Sequence, residues 1–519
     1  ANVSVDGANF LPFDTASFSY TPRPGFTLAD QAEKFRQLNA LVYDTNPYPG
    51  IQDLIQGWYN GQVTQPGQPF NANYVPAAYA GNAGDSELYS SVVRPYCRSC
   101  HLSQSIVQLA SPAEVDGARF DLFGSRIMPH AEMTAHNFWS SSAPAVVARN
   151  RGWSYRVTRP DDPPPSGCVS GDCTLRNAIW DANDPNASFG QDIITFDVAG
   201  TFRLELAPMD GGGALEITDS LVILGHGPDQ TIIDANGLDR VFHIHPGAEV
   251  IIKGVTIRGG SVSGSGGGIL NEGRLVLIDS IVQSNTSTGD GAGIANLSGG
   301  TAEIDRSTIG PDNITTSGRG GGVFNDGSGS RLSLSNSTLT GNQAESGGGL
   351  YNLNAGAVLT VTFGTVTGNS ATTTGGGLRN NGASLVVQNS LVAGNSGGGS
   401  TDCATSAGFT SLGHNLVGQN GSANGCPTTA SDQILAGGVA TALDPILIAP
   451  GGGVPYHALA LGSPALDAIP LGAGCGPPSF DARDTARPLD GNHDGVAACD
   501  AGAVEAPPQW RALLPLVMR

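Results

Sequence analysis

The sequence predicts a mainly β protein, a right-handed parallel β-helix solenoid preceded by a small α-helical domain. Three observations predict it. A Gly-rich block ending in asparagine recurs at nearly constant spacing through the middle of the chain. Glycine makes up 74 of 519 residues and charged residues 13%, which suits many short strands broken by tight corners. It excludes a coiled coil, a helical bundle and a collagen. Helical periodicity is concentrated before the first cysteine.

Residues 1–140 are read as the helical domain, beginning with an extended, Pro-rich segment over 1–26. Thr27 to Tyr43 reads as a helix, with Thr27 as cap and Asp30 three residues on. Leu28, Ala32, Phe35, Leu38 and Val42 fall on one face. Ile51, Leu54, Ile55 and Trp58 mark a second amphipathic helix. A third is read as capped by Asp85, carrying Leu88 and Val92, and stopped by Pro95.

Next comes Cys97-Arg98-Ser99-Cys100-His101. This is the C-x-x-C-H pattern of covalent haem c attachment: two thiols reach the two vinyl groups of one porphyrin, and the adjacent histidine lies under the iron. A zinc site wants two more Cys or His ligands nearby, and a redox pair wants a thioredoxin-like βαβ unit; neither accompanies it. The sixth iron ligand is expected downstream, at Met128 of Ile127-Met128-Pro129-His130, with His130, Met133 and His136 as rivals. The segment Ser17 to Trp139 resembles small monohaem c-type cytochrome domains of secreted bacterial proteins. That resemblance implies one covalent haem c, iron ligation by His101 and Met128, and redox partner proteins.

Residues 141–167 end in Asp161-Asp162-Pro163-Pro164-Pro165 and are read as a stiff linker. The β-helix is placed over 168–440. In one column stand Asn271, Asn296, Asn325, Asn352 and Asn380, each closing a Gly-rich block; in a second stand Asn285, Asn313, Asn342, Asn369 and Asn395. Between them run short alternating strands such as Arg331-Leu332-Ser333-Leu334. Such a period signals a solenoid, and strands this short with no helix between them specify a parallel β-helix. Identical side chains then stack from coil to coil, an asparagine amide donating to one neighbour and accepting from the other.

Cys173 to Asn183 puts Leu175, Ala178, Ile179 and Ala182 on one helical face, as an N-terminal cap requires. It resembles the C-S-L-R-E-A-I motif opening many secreted bacterial β-helix proteins, with Thr174 and Asn177 replacing Ser and Glu. Residues 441–507 resemble the closing segment of choice-of-anchor families; 508–519 form a tail. These resemblances imply fold and export, not an activity.

The remaining cysteines form three sequence-local pairs, 168/173, 403/426 and 475/499, read as disulfides of an extracytoplasmic protein in the periplasm, at the cell surface or secreted. The chain begins at Ala1 without a basic and apolar leader, so a signal peptide is expected to have been removed. No apolar run approaches a membrane span. A net charge of -20 repels phosphate backbones and excludes nucleic acid as partner. Asp490, Asn492 and Asp494 match the first half of a calcium loop, with Asp500 as substitute for the missing Glu; calcium and a plain turn both stay open. His243 and His245, two apart on an expected strand, point the same way.

The function read from these signals is extracytoplasmic electron transfer by one haem, without catalysis, the solenoid serving as scaffold or self-assembly surface. An adhesin or structural filament with auxiliary haem is the first alternative. A polysaccharide-active β-helix is the second, weakened by the absence of an acidic column matching the asparagines. Failure of Met128 to bind would open the iron for peroxidase chemistry.

Overall fold

A computed structural model describes residues 12–15, 20–45, 49–97, 111–117, 119, 122–123, 132–184, 192–210, 212–406, 408–418, 425–476 and 479–507. The chain divides into two compact units, 1–153 and 154–519.

The first unit is helical. Thr27 caps the helix Leu28–Asp44 in a reciprocal box with Asp30. Its buried positions are Arg36, Asn39 and Val42, while Ala32 and Phe35 are half-buried and Leu28 and Leu38 exposed, so the apolar face expected from periodicity is packed only in part and the buried stripe is shifted toward polar residues. The reason is polar satisfaction. Asn39 accepts from the Phe13 amide at 2.6 Å and donates to the Phe13 carbonyl at 2.9 Å, pairing with extended backbone as a strand would. Arg36 is held by Glu33 and the Val63 carbonyl. The helix Pro49–Trp58 buries Ile51, Leu54, Ile55 and Trp58 as expected. The cap of Ala83–Leu88 is Asn82, whose side chain accepts from the Asp85 amide; Asp85 sits inside the first turn. Pro95 does not stop the chain: Tyr89–Cys97 is π-helical and contains it. The wider turn takes up a ring that an α-turn would clash with.

The expected linker is only partly a linker. Ala143–Asn150 is a helix with Ala143 through Ala148 buried in the first unit. Ser154–Val157 is a strand of the second unit, parallel to Asp192–Phe196. Asp162, beside the prolines, is buried and grips Arg176 with both oxygens, at 2.6 and 2.9 Å. A chain that supplies a buried ion pair is pinned, whatever its proline content.

The second unit is a parallel β-helix. Its four long sheets contain ten, six, eight and ten strands, each paired with its counterpart in the coils before and after. The cap helix Leu175–Ala182 buries Leu175, Ala178, Ile179 and Ala182, and Thr174 caps it. Both asparagine columns form ladders. Asn271, Asn296, Asn325, Asn352 and Asn380 are linked Nδ2 to Oδ1 at 2.6, 2.7, 2.8 and 3.0 Å. The second column runs from Asn285 to Asn395 in bonds of 2.8–3.0 Å and ends on Asp402 at 2.9 Å. All but the last asparagine are fully buried.

The glycine triplets follow from this stacking. Gly320 has φ +66°, in the left-handed region. Its neighbour Gly321 has no room for a Cβ, which would lie 2.4 Å from the Gln343 carbonyl and 2.6 Å from that of Gly348 on the next coil.

The closing segment does more than finish the far end. It folds back along the outer face of the sheet built from Thr256–Arg258 to Leu416–Val417. Gly452 donates to Asp229 at 2.9 Å, Thr308 to the Pro455 carbonyl, and Ala503 to Thr365 at 2.9 Å. Outward residues Thr256, Ile281, Thr308, Thr338 and Thr365 are therefore buried. Arg487, fully buried, binds Glu505 at 3.0 Å and lies 4.3 Å over the Phe363 ring.

Asn325→Ala should cost about 2–4 kcal/mol, from a cavity and orphaned buried amide partners. Exposed Thr373→Ala should stay within about 0.5 kcal/mol. Urea unfolding midpoints of the two variants test this.

Candidate functional site

In the first unit, Cys97 ends the π-helical segment and is 6% exposed. Tyr89, Val92 and Val93 are buried on the same segment. The ring of Tyr96 meets Phe138 at 6.0 Å, and Tyr79 meets Tyr89 at 5.1 Å. Burial, then the nearby Cys97, push the Tyr79 phenol well above its ordinary range. Water is thus largely excluded around this thiol. Cys100, His101, Met128 and His130 lie outside the described residues, as does the side chain of Met133. His136 lies on the helix Glu132–Trp139, with Nε2 3.3 Å from Ser140 Oγ. The three sequence-local cysteine pairs are bridged as expected, and none of these bridges includes Cys97.

Of the calcium candidates, Asp490, Asn492 and Asp494 each accept backbone bonds within their own turn. Asp490 accepts from the amides of Asp494 and Gly495, Asn492 from that of Asp494, and Asp494 from that of Val496. These are the bonds of a tight Asp/Asn/Gly turn. Asp500 is instead 1% exposed, accepting from the amides of Asp467 at 2.7 Å and Ala506 at 2.6 Å. Burial, and then the charge of Glu505, push its carboxyl up to about 7.

Among the described residues, one group of three His, Cys, Asp or Glu side chains brings its donor atoms within 4.8 Å of one another: Glu216, His243 and His245. The fold builds it from successive coils. Glu216 in Leu215–Ile217 registers with His243 in Phe242–Ile244, and His245 follows on the same strand line. Glu216 Oε2 lies 2.9 Å from His243 Nδ1 and 2.6 Å from His245 Nε2, with the two rings 3.9 Å apart. On the next coil Glu272 Oε2 lies 3.1 Å from His243 Nε2, and its other oxygen accepts from Ser298 Oγ at 2.7 Å. Glu216 is half exposed and His243 largely covered. The Glu216 bond, opposed by burial and helped by Glu272, raises His243. Burial works to raise Glu216, but bonds from His243 and His245 outweigh it and lower its carboxyl. Ser298 and then His243 hold Glu272 low. The sequence pointed to the two histidines but not to Glu216 or Glu272. The signal was coil spacing, since the contacts join residues 27 or 29 apart.

One further feature lies on the outer face of the first long sheet. A groove of ≈ 370 Å³ is lined by Arg274, Glu303, Arg331, Ser333 and Thr360 from successive coils.

No family model and no curated protein matches the chain. Among solved structures, it is similar to the crystal structure of pectate lyase Pel9A, with a TM-score of 0.35 and 13% identity over 68% of this chain and 97% of that one. The expectation of a chain without catalysis is withdrawn: the protein of that solved structure is named a pectate lyase. A likeness at this level assigns no reaction here. Among the described residues no helix is long and apolar enough to cross a membrane. The three disulfides are consistent with an extracytoplasmic protein.

Asp500 gives a pH prediction. Folded, it keeps its proton to about 7, whereas the free carboxyl releases it near 3.8. The folded chain binds more protons in between, so its stability falls as pH rises through that window. Asp500→Asn should flatten the fall between pH 5 and 7, while lowering stability overall because one backbone amide then faces an NH₂. Urea midpoints across that range read both effects.

Proposed function

We propose that the chain is an exported redox protein holding one covalent haem c in its helical unit, with the β-helix as rigid scaffold. The observation that carries this reading is the pentapeptide Cys97 to His101, whose first thiol is buried at the end of a helical segment packed with aromatic rings. Such walls suit the flat apolar faces of a porphyrin. Cys97 and Cys100 would hold the macrocycle through thioethers, and His101 and Met128 would ligate the iron, with His130 the rival to Met128. When bound, the group supplies a one-electron iron couple whose potential a methionine ligand raises relative to two histidines. The chain's own part is to fix the ligands, to exclude water with Tyr79, Tyr89, Val92 and Phe138, and to present an acidic surface, net -20, to basic redox partners.

Full-length protein made in a host with haem c maturation should stay coloured after acidic organic extraction and show a reversible reduced spectrum. Cys97→Ser should shift the reduced band by loss of one thioether. Met128→Ala should abolish the methionine–iron charge-transfer band of the oxidised form. Colourless protein from such a host overturns the reading.

A second reading, action on polysaccharide, is favoured by one observation, the groove lined by Arg274 and Arg331 on either side of Thr301, with Glu303 beside them. Two guanidiniums spaced along a rigid face suit an anionic glycan. Incubation with polygalacturonate should yield new chain ends, and Arg331→Ala should weaken retention on the immobilised polymer. Unchanged polymer length and no retention count against it.

A further inference from the structure

We propose that Glu216, His243 and His245 form a binding site for one divalent transition-metal ion of the zinc class, open on its solvent side. The argument begins with lone pairs. Glu272 is an ionised acceptor already taking a bond from Ser298, so the proton of the neutral His243 ring belongs on Nε2, which faces it at 3.1 Å. Nδ1 is then left as a lone pair, aimed at another acceptor, Glu216 Oε2, only 2.9 Å away. Two lone pairs at that distance repel unless a cation lies between or beside them, either a proton added to Nδ1 or a metal ion. His245 Nε2, 2.6 Å from the same oxygen, adds a third donor to the same small space.

The set has the chemistry and scale of a zinc site. Two imidazoles and a carboxylate are the protein ligands of open three-ligand centres, where water takes the fourth place. Bonds of about 2.0–2.1 Å set tetrahedral donor atoms about 3.3 Å apart. Here the donors all lie within 4.8 Å of one another, and the half-exposed Glu216 carboxylate can swing outward to widen the gap. Glu272 completes the arrangement as a positioning residue. A carboxylate behind a ligating histidine fixes its tautomer and orientation, and here it is itself fixed by Ser298. The backbone is rigid, since the two ligand strands are joined in parallel register. Arg240 is the nearby positive charge and acts on His243. It is outnumbered by the carboxylates of Glu216 and Glu272.

The full chain, stripped with chelator and titrated calorimetrically with zinc chloride, should take up one ion per chain more than His243→Ala/His245→Ala. Glu272→Gln should bind at least tenfold more weakly, as loss of an outer-shell partner does. Should the double variant not fold, His245→Ala decides: zinc should raise the melting temperature of the wild type and not that of the variant. Equal zinc uptake by wild type and double variant, no uptake by the wild type, or an equal melting shift in His245→Ala would overturn the proposal. The cluster would then be a proton-bridged clamp.

Discussion

The second unit depends on one constraint: a buried primary amide must find its partners in the coil above and the coil below. Within the ladders an asparagine donates forward to the next side chain and uses its other hydrogen on a backbone carbonyl, as Asn313 does with Asn342 and, at 2.8 Å, with Val282. This is satisfied only if every coil repeats at the same height and register. The rest follows. Coils that close leave no space for side chains over the corner, hence Gly321 and its equivalents. The corner between the first two strands of each coil takes left-handed backbone even without glycine, at Asp279, Arg306, Asn336, Phe363 and Asn389. That strain of order 1 kcal/mol per residue is offset by the continuous core between the sheets, from Ile194 to Val392.

Much of this was legible because repetition is visible in one sequence. The two ladders, the glycine blocks and the cap helix each show a period or a known face, and each stands where expected. What was illegible had a common cause: hydrophobic periodicity does not report satisfied polar burial. Arg36 and Asn39 look like solvent residues until the extended segment at Phe13 and the Val63 carbonyl arrive to meet them. Asp162 looks like part of a solvated proline run until Arg176 is placed beneath it. The histidine pair was readable as neighbours on a strand. Its carboxylates were not, because they are single acids one coil away, and only the observed register brings them together. For the haem motif the reading still rests on adjacency in the chain, with Cys97 as the member whose surroundings are described.

The two candidate centres illustrate two ways of placing chemistry. The pentapeptide concentrates its reactive groups within five residues, so that under the proposed function a short segment would hold the haem whatever scaffold surrounds it. The Glu216–His243–His245 cluster scatters its members through sequence and relies on stacking to gather them. The first can be recognised from the chain alone. The second exists only because the solenoid keeps its period, so a one-residue slip of the strand carrying His243 would turn its side chain to the opposite face.

The returning C-terminal segment changes how the solenoid should come apart. A stack whose coils touch only their neighbours can peel open from either end, one layer at a time. Here one stretch of chain is fastened to Asp229 near the beginning, Thr308 in the middle and Asn389 towards the end. Fraying of a terminal layer must therefore strip this seam as well, and the many coils are yoked into a single mechanical element.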